Sequence, residues 1–220
     1  MRNLAIVTGF IPWIVFSIVS TRLAANAVGW SALIAVVLTV ISLVASLRRN
    51  GPRILNLGSL VLFGVIAVVG FIGDESVDEW LYWWGVPLVG VVLGLYVLAT
   101  VPVLPFTAEY ARMSTPREHW NSPLFKKINT TLSAAWGVAI LAMGLLAVAA
   151  TAVTGARHDP DSDGILELVL NWVAPIAIIW FMIKFTVTYP EKARAHAFPA
   201  GQGPGAPAGG AAASSGTAAP

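Results

Sequence analysis

The densest group of potentially reactive side chains lies between residues 109 and 119: Glu109, Arg112, Arg117, Glu118 and His119. Carboxylate, guanidinium and imidazole groups in one short segment could bind a phosphate and move a proton, as in an enzyme that acts on lipid-linked substrates. No phosphate-binding glycine loop or G-x-S-x-G nucleophile motif accompanies them. A solvated, salt-bridged segment is therefore favoured, and the chain is predicted not to be an enzyme.

A second candidate is the acidic run Asp159, Asp161 and Asp163, which matches the opening of an EF-hand calcium loop. The twelfth loop position, normally a bidentate Glu, is Leu170. A solvated turn is favoured, and calcium binding is left open. The chain has no cysteine, and its three histidines are far apart in sequence. No metal site and no cofactor is predicted.

The amino-acid composition indicates whether the chain folds in water or in a lipid membrane. The chain has 220 residues, of which 57% are hydrophobic and 11% charged, and its mean hydropathy is +0.77. Soluble domains carry about 25% charged residues. The apolar residues form blocks long enough to cross a ~30 Å hydrocarbon core as helices. The basic residues form no face suited to nucleic acid. An all-α, polytopic membrane protein is predicted.

Six transmembrane helices follow from the positions of the charges, and they fill a domain of residues 1–192. Residues 193–220, rich in Gly, Ala and Pro, are predicted to form a disordered cytosolic tail. The spans are expected near 4–20, 27–47, 54–73, 81–105, 132–154 and 165–185.

The basic residues predict the orientation. Eleven of the 13 Lys and Arg residues fall on one side of these spans, and only Arg22 and Arg157 fall on the other. By the positive-inside rule both termini are cytosolic. The run Trp80–Trp84 is interpreted as an aromatic belt at the outer interface, with a sugar- or lipid-binding platform as the less favoured alternative.

The loop 106–131 is the longest cytosolic segment, and it carries two signals for helix starts. Thr115-Pro116-Arg117-Glu118 resembles a capping box and predicts a short interfacial helix. Ser122-Pro123 repeats the pattern and predicts that the fifth helix begins near Pro123 and is the longest in the chain. A partner-contact surface is expected in this loop, formed by Glu109, Arg112, Arg117, Glu118 and Trp120.

Other features concern helix packing. Asn129, Trp136 and Asn171 are predicted to be structural keystones, chiefly through hydrogen bonds between helices. Gly90 and Gly94 form a G-x-x-x-G motif, and a ridge of small residues follows on the fifth helix (Ala135, Ala139 and Gly144). Packing within the chain is favoured for these ridges, and a homodimer is left open. Pro12, Pro87 and Pro175 fall within spans and are expected to kink helices one, four and six.

The order of features resembles the intracellular septation protein A family of bacterial inner-membrane proteins. The resemblance rests on Ile11-Pro12, on the segment Leu132–Val138 with Trp136, on Gly144-Leu145, and on Leu170-Asn171-Trp172. It departs from the family at Val173, where the family has Lys, and in its longer inner loop and added tail.

The resemblance implies a role in cell-envelope maintenance or septation through contacts with membrane proteins of cell division or elongation. The partners expected are therefore the lipid bilayer and such proteins. The alternative is a small-solute or lipid transporter, or another lipid-handling protein, with a cavity among the proline-containing helices.

Overall fold

The computed structural model describes residues 4–22, 28–47, 54–113, 115–154, 165 and 168–197, and this part of the chain is helical without strands. Its longer helices are α1 (Leu4–Arg22), α2 (Val28–Leu47), α3 (Ile54–Ile72), α5 (Val86–Thr100), α7 (Pro123–Thr154) and α8 (Ala174–Ala197); its shorter ones are α4 (Glu75–Trp80) and α6 (Phe106–Arg112). Two π-helical turns, Leu81–Gly85 and Val169–Val173, precede α5 and α8.

Four continuous helical segments in the described part of the chain are long and apolar enough to cross a membrane: Val28–Leu47, Ile54–Ile72, Glu75–Thr100 and Pro123–Val153. This agrees with the prediction of a helical membrane protein. The third of these begins six residues before the predicted start at 81 and ends five before the predicted end at 105. The side chain of Asp74 caps α4 by accepting from the Ser76 and Val77 amides, while Pro102 has no amide hydrogen to extend the helix.

Neighbouring helices run in opposite directions. Gly29 of α2 meets Gly70 of α3, whereas Ser42 of α2 meets Asn56 of α3. The pairs α5–α7 and α7–α8 alternate in the same way. The start of α3, the end of α5, the start of α7 and the end of α8 therefore lie together with α6, at what we call the α6 end. The acidic helix α4 lies at the opposite end.

The proline positions explain the two π-helical turns. Pro87 and Pro175 each lie two residues after a π turn. Because proline has no amide hydrogen, the helical hydrogen-bond ladder is already interrupted there. The preceding amides bond one residue further back than in an α-helix, Val86 N–H to the Leu81 carbonyl and Ala174 N–H to the Val169 carbonyl. Pro12 lies inside α1, which continues through it.

The core combines aromatic rings with small residues. Phe16 of α1 and Phe63 of α3 are fully buried, and the ring of Phe63 lies 4.7 Å from that of Trp13 and 5.0 Å from that of Phe16. The indole of Trp13 also donates a hydrogen bond of 2.6 Å to the hydroxyl of Ser59. Lipid offers these polar groups no partner, so they are satisfied between helices.

Helix α7 has 32 residues and is the longest of the described helices, as predicted. It begins at Pro123, where the Ser122 hydroxyl accepts from the Phe125 amide at 3.2 Å. Helix α8 continues to Ala197, five residues into the predicted tail. Residues 198–220 and the acidic run of Asp159, Asp161 and Asp163 lie outside the described residues.

Candidate functional site

The α6 end holds all five residues of the predicted partner-contact surface, but the structure divides them. Glu109 is half-buried, and its carboxylate accepts from the backbone amide of Ile54 at 3.0 Å. That amide is the first of α3 and has no partner within its own helix. A carboxylate is also favoured beside the positive end of a helix. Glu109 thus ties α6 to α3 and does not belong to an exposed surface.

The tie extends to α5. The phenolic hydroxyl of Tyr96 donates to the carbonyl of the same residue, Ile54, at 2.7 Å. Glu109 and Tyr96 therefore hold the two backbone groups of Ile54 from different helices. The start of α3 is fixed by these two contacts.

Helix α6 lies against α7. Phe106 and Tyr110 are buried, and Thr107 holds the register through its backbone and its side chain. Its amide donates to the Ser133 hydroxyl at 3.1 Å, and its own hydroxyl donates to the Asn129 carbonyl at 2.9 Å. Buried Asn129 uses its side-chain amide within α7, donating to the carbonyl of Phe125 at 2.8 Å. The segment is therefore held on the bundle by defined contacts.

The predicted capping box at Thr115–Glu118 does not form, which corrects the expectation of an interfacial helix there. Residues Arg117–His119 make a single 3-10 turn whose start has no side-chain cap. The helix of this segment is instead α6, seven residues long and earlier in the chain. Only three residues separate this turn from Pro123, where α7 begins, so a full helix has no room between them.

Three of the remaining four residues of the predicted surface, Arg112, Arg117 and Trp120, come together around the Trp120 ring. The guanidinium carbon of Arg112 lies 5.4 Å from the centre of the Trp120 ring, and that of Arg117 lies 5.7 Å from it. The indole N–H donates to the Thr115 carbonyl at 2.8 Å, which holds the ring in place. We call Arg112, Arg117 and Trp120 the arginine–tryptophan cluster. The sequence spacing of the two arginines does not predict that both share one ring.

Glu118 lies beside this cluster, but its carboxylate is 3.9 Å from the imidazole of His119. Both side chains are exposed, and an ion pair of this kind contributes little. Exposed Lys126 and Lys127 follow in the first turns of α7. The α6 end therefore presents a surface with more positive than negative charge, which suits an anionic ligand better than general acid–base chemistry.

The predicted keystones occupy different places. The indole N–H of Trp136 on α7 donates to the Thr186 hydroxyl on α8 at 3.0 Å. Close by, the Tyr189 hydroxyl donates to that of Thr131 at 3.2 Å. These two bonds join α7 to α8. Asn171 lies in the π turn Val169–Val173, and its side chain lies outside what the structure describes.

The structure holds a further open surface on α3. An apolar groove is lined by Leu60, Val61, Gly64, Val65, Val68 and Val69. All six residues belong to one helix, and Gly64 at its centre has no neighbouring atom within 4 Å of an added Cβ. The groove is shallow and open, and its lining is apolar, so it would contact an acyl chain of surrounding lipid more favourably than a polar solute.

No group of three or more His, Asp or Glu side chains close enough to hold a metal ion occurs in the described ranges. Comparison of the chain with protein-family models, with curated proteins and with solved structures finds no match.

Proposed function

We propose that this protein is a non-enzymatic component of a bacterial inner membrane that serves cell-envelope maintenance or septation through protein contacts made at its α6 end. The observation that carries the proposal is the surface formed by exposed Arg117 and Glu118 beside half-buried Trp120, whose ring is held by a hydrogen bond to the Thr115 carbonyl. Ordered polar surfaces on a rigid scaffold suit specific recognition. The resemblance to the septation protein A family adds the biological setting.

The proposal includes six membrane spans, with α1 and α8 as the first and the last, and with both termini in the cytosol. Its support is the alternating direction of the helices together with the separation of charge. Arg112, Lys126 and Lys192 lie at the α6 end, whereas Asp74 and Glu79 lie at the opposite end. A phosphatase reporter active only outside the cytosol should be active when inserted at Ser76 and inactive when fused after Ala197. The reverse pattern would overturn the orientation.

The protein contacts can be tested by photocrosslinking in living cells. A photoreactive residue at Glu118 or Asn121 suits the purpose, because both side chains are exposed and neither supports the fold. Trp120 and Phe125 are less suitable, since the first is bonded to Thr115 and the second is half-buried. The matched control is the same residue at Ser76, exposed at the other end.

We expect the Glu118 and Asn121 sites, and not the Ser76 site, to capture membrane proteins of cell division or elongation. Capture of lipid alone at normal expression would contradict the proposal. That outcome would favour the second candidate, a lipid transporter or lipid-handling protein, for which the groove around Gly64 is the supporting observation. Replacing Gly64 with Leu would then reduce the lipid-dependent activity, because the side chain would fill the groove.

A further inference from the structure

We infer that the arginine–tryptophan cluster is a binding site for the phosphate headgroup of an anionic phospholipid. The inference goes beyond the proposed function, because it requires a membrane but no protein partner. The cluster is built around a fixed ring: the Trp120 indole is anchored to the Thr115 carbonyl at 2.8 Å, and both guanidinium groups stand within 6 Å of its centre. A guanidinium over an indole face keeps its hydrogen-bond donors free at the edges.

The charges around the cluster favour an anion. Neither Arg112 nor Arg117 forms an ion pair with a carboxylate of the described part of the chain. Of the nearby acids, Glu118 lies beside His119, and Glu109 accepts from Ile54. Two cations that share one ring repel each other, and a phosphodiester, with one negative charge and two non-bridging oxygens, would reduce that repulsion by accepting a charge-assisted hydrogen bond from each.

The position of the cluster favours a lipid as the source of that phosphate. Tyr189, an aromatic residue typical of the membrane interface, bonds to Thr131 of α7. Lys126 and Lys127 lie four to five residues before Thr131, roughly 6–8 Å along the helix axis. The headgroup layer extends about 5–8 Å beyond the hydrocarbon. The start of α7 therefore lies at headgroup level.

Short contacts connect the arginine–tryptophan cluster to the start of α7, which lies at the level of the lipid headgroups. The Ser122 amide, just before α7, donates to the His119 carbonyl at 3.1 Å, so the turn that carries Arg117 is attached to the start of α7. Exposed apolar side chains accompany it at the same end of the bundle, Met113 at 46% exposure and Val103 at 86%. Apolar and basic side chains together are typical of a segment that lies on an anionic membrane surface.

The test uses the full chain in nanodiscs of phosphatidylcholine that contain a small share of a photoactivatable lipid. The probe carries either a phosphatidylglycerol or a phosphatidylcholine headgroup on identical acyl chains. After illumination, labelled peptides from residues 106–127 are quantified by mass spectrometry. We expect the phosphatidylglycerol probe to label this segment at least about fivefold more than the phosphatidylcholine probe, since even one basic residue near the surface favours anionic lipid by about fivefold.

Two double variants distinguish a specific lipid-binding site from general electrostatic attraction between the basic surface and anionic lipid. R112Q/R117Q should remove most of the preference for the phosphatidylglycerol probe, leaving only the weaker attraction of the remaining basic residues. K126Q/K127Q removes the same charge from the neighbouring surface and should retain most of the ratio. Thermal unfolding of both variants checks that the fold is kept, as expected for four exposed side chains.

A third variant tests the ring. Trp120→Ala should lower the ratio although both arginines remain, because it removes the surface that positions them. Equal labelling by the two probes in the unmodified protein would overturn the inference and leave the arginines to an acidic protein surface. An equal loss in K126Q/K127Q and R112Q/R117Q would overturn it as well, because attraction would then depend on net charge alone.

Discussion

Helix α7 makes two contacts of different kinds, one with α5 and one with α8. Against α5 the backbones themselves approach: a Cβ added to Gly94 would lie 2.6 Å from the Leu141 Cα, and one added to Gly90 would lie 3.0 Å from the Gly144 Cα. Against α8 the contact uses long side chains, with hydrogen bonds from Trp136 and Tyr189. Met182 is the one buried side chain among those described on α8.

The difference shows how helices associate when lipid replaces water. Apolar side chains gain little by leaving lipid for a helix interface, so close van der Waals packing of small residues must supply the attraction. The α5–α7 pair has that packing, and the ridges of Gly90, Gly94 and Gly144 meet within one chain. The α7–α8 pair has hydrogen bonds between side chains, and such bonds between membrane helices average about 0.6 kcal/mol. We therefore expect α8 to be the more readily displaced partner.

The largest effect is expected at the α5–α7 contact. Gly94→Ala should lower the free energy of unfolding by about 1–3 kcal/mol, because its Cβ meets backbone that cannot move aside. Gly64→Ala is the matched control within another apolar helix, where the new methyl meets open space. It should be neutral or stabilise by up to about 1 kcal/mol. Thermal unfolding in detergent measures both, and equal effects would show that the close backbone approach at Gly94 does not stabilise the fold.

A smaller effect is expected where a side chain satisfies a helix end. Glu109→Ala removes the acceptor of the Ile54 amide and should cost about 1 kcal/mol, the usual cost of losing a helix cap. Glu109→Gln keeps an acceptor oxygen and should retain most of the stability. Hydrogen exchange at the first amides of α3 reports the change. A biological defect in Glu109→Gln with normal stability would instead support the enzymatic alternative.

The α7–α8 contact should respond less. Trp136→Phe and Thr186→Val each remove one partner of the interhelical hydrogen bond. In a double-mutant cycle the coupling between them should be about 0.6 kcal/mol. Reversible unfolding in mixed micelles gives the four free energies. A coupling comparable to the effect of Gly94→Ala would show that α8 is held as firmly as α5.

The smallest effect is expected at Asp74, which lies outside both contacts. Its side chain accepts from the Ser76 hydroxyl and from the Ser76 and Val77 amides, and these bonds lower the pKa of the carboxyl below its ordinary value. The charged cap therefore stabilises the start of α4 above the unfolded-state pKa, and its contribution is lost as the pH falls through the lower folded-state pKa.

Hydrogen exchange of the Ser76 and Val77 amides as a function of pH measures the loss at Asp74. Asp74→Asn keeps a capping oxygen that does not titrate, so its exchange should lack this acid-dependent step. A step of equal size in the Asn variant would assign it to another group. The α5–α7 and α7–α8 contacts should not respond to the titration of Asp74. Protection from hydrogen exchange at these contacts should therefore stay constant over the same pH range.

Much of the helical layout was predictable from local chemistry. Helix α3 at Ile54–Ile72 matches the expected 54–73, and α7 begins at Pro123 as Ser122-Pro123 indicated. Such boundaries follow from uninterrupted apolar runs and from caps formed within a few residues. The predicted span begins at 81 because the apolar run starts only after the acidic residues. The helix itself begins earlier, at α4, where Asp74 provides a cap. The π turns were missed because proline was expected only to bend a helix.

The contacts between distant residues lay beyond the sequence. Glu109 was grouped with exposed charges, yet it caps α3, because the position of the Ile54 amide depends on how α3, α5 and α6 meet. Arg112 and Arg117 were separate charges in a loop, and only the fold places both on the Trp120 ring. The sequence alone determined that the chain is helical and apolar enough for a membrane, since hydropathy and caps are local properties. The tertiary structure decided which polar groups meet, because their partners lie tens of residues away and are brought together only by helix packing.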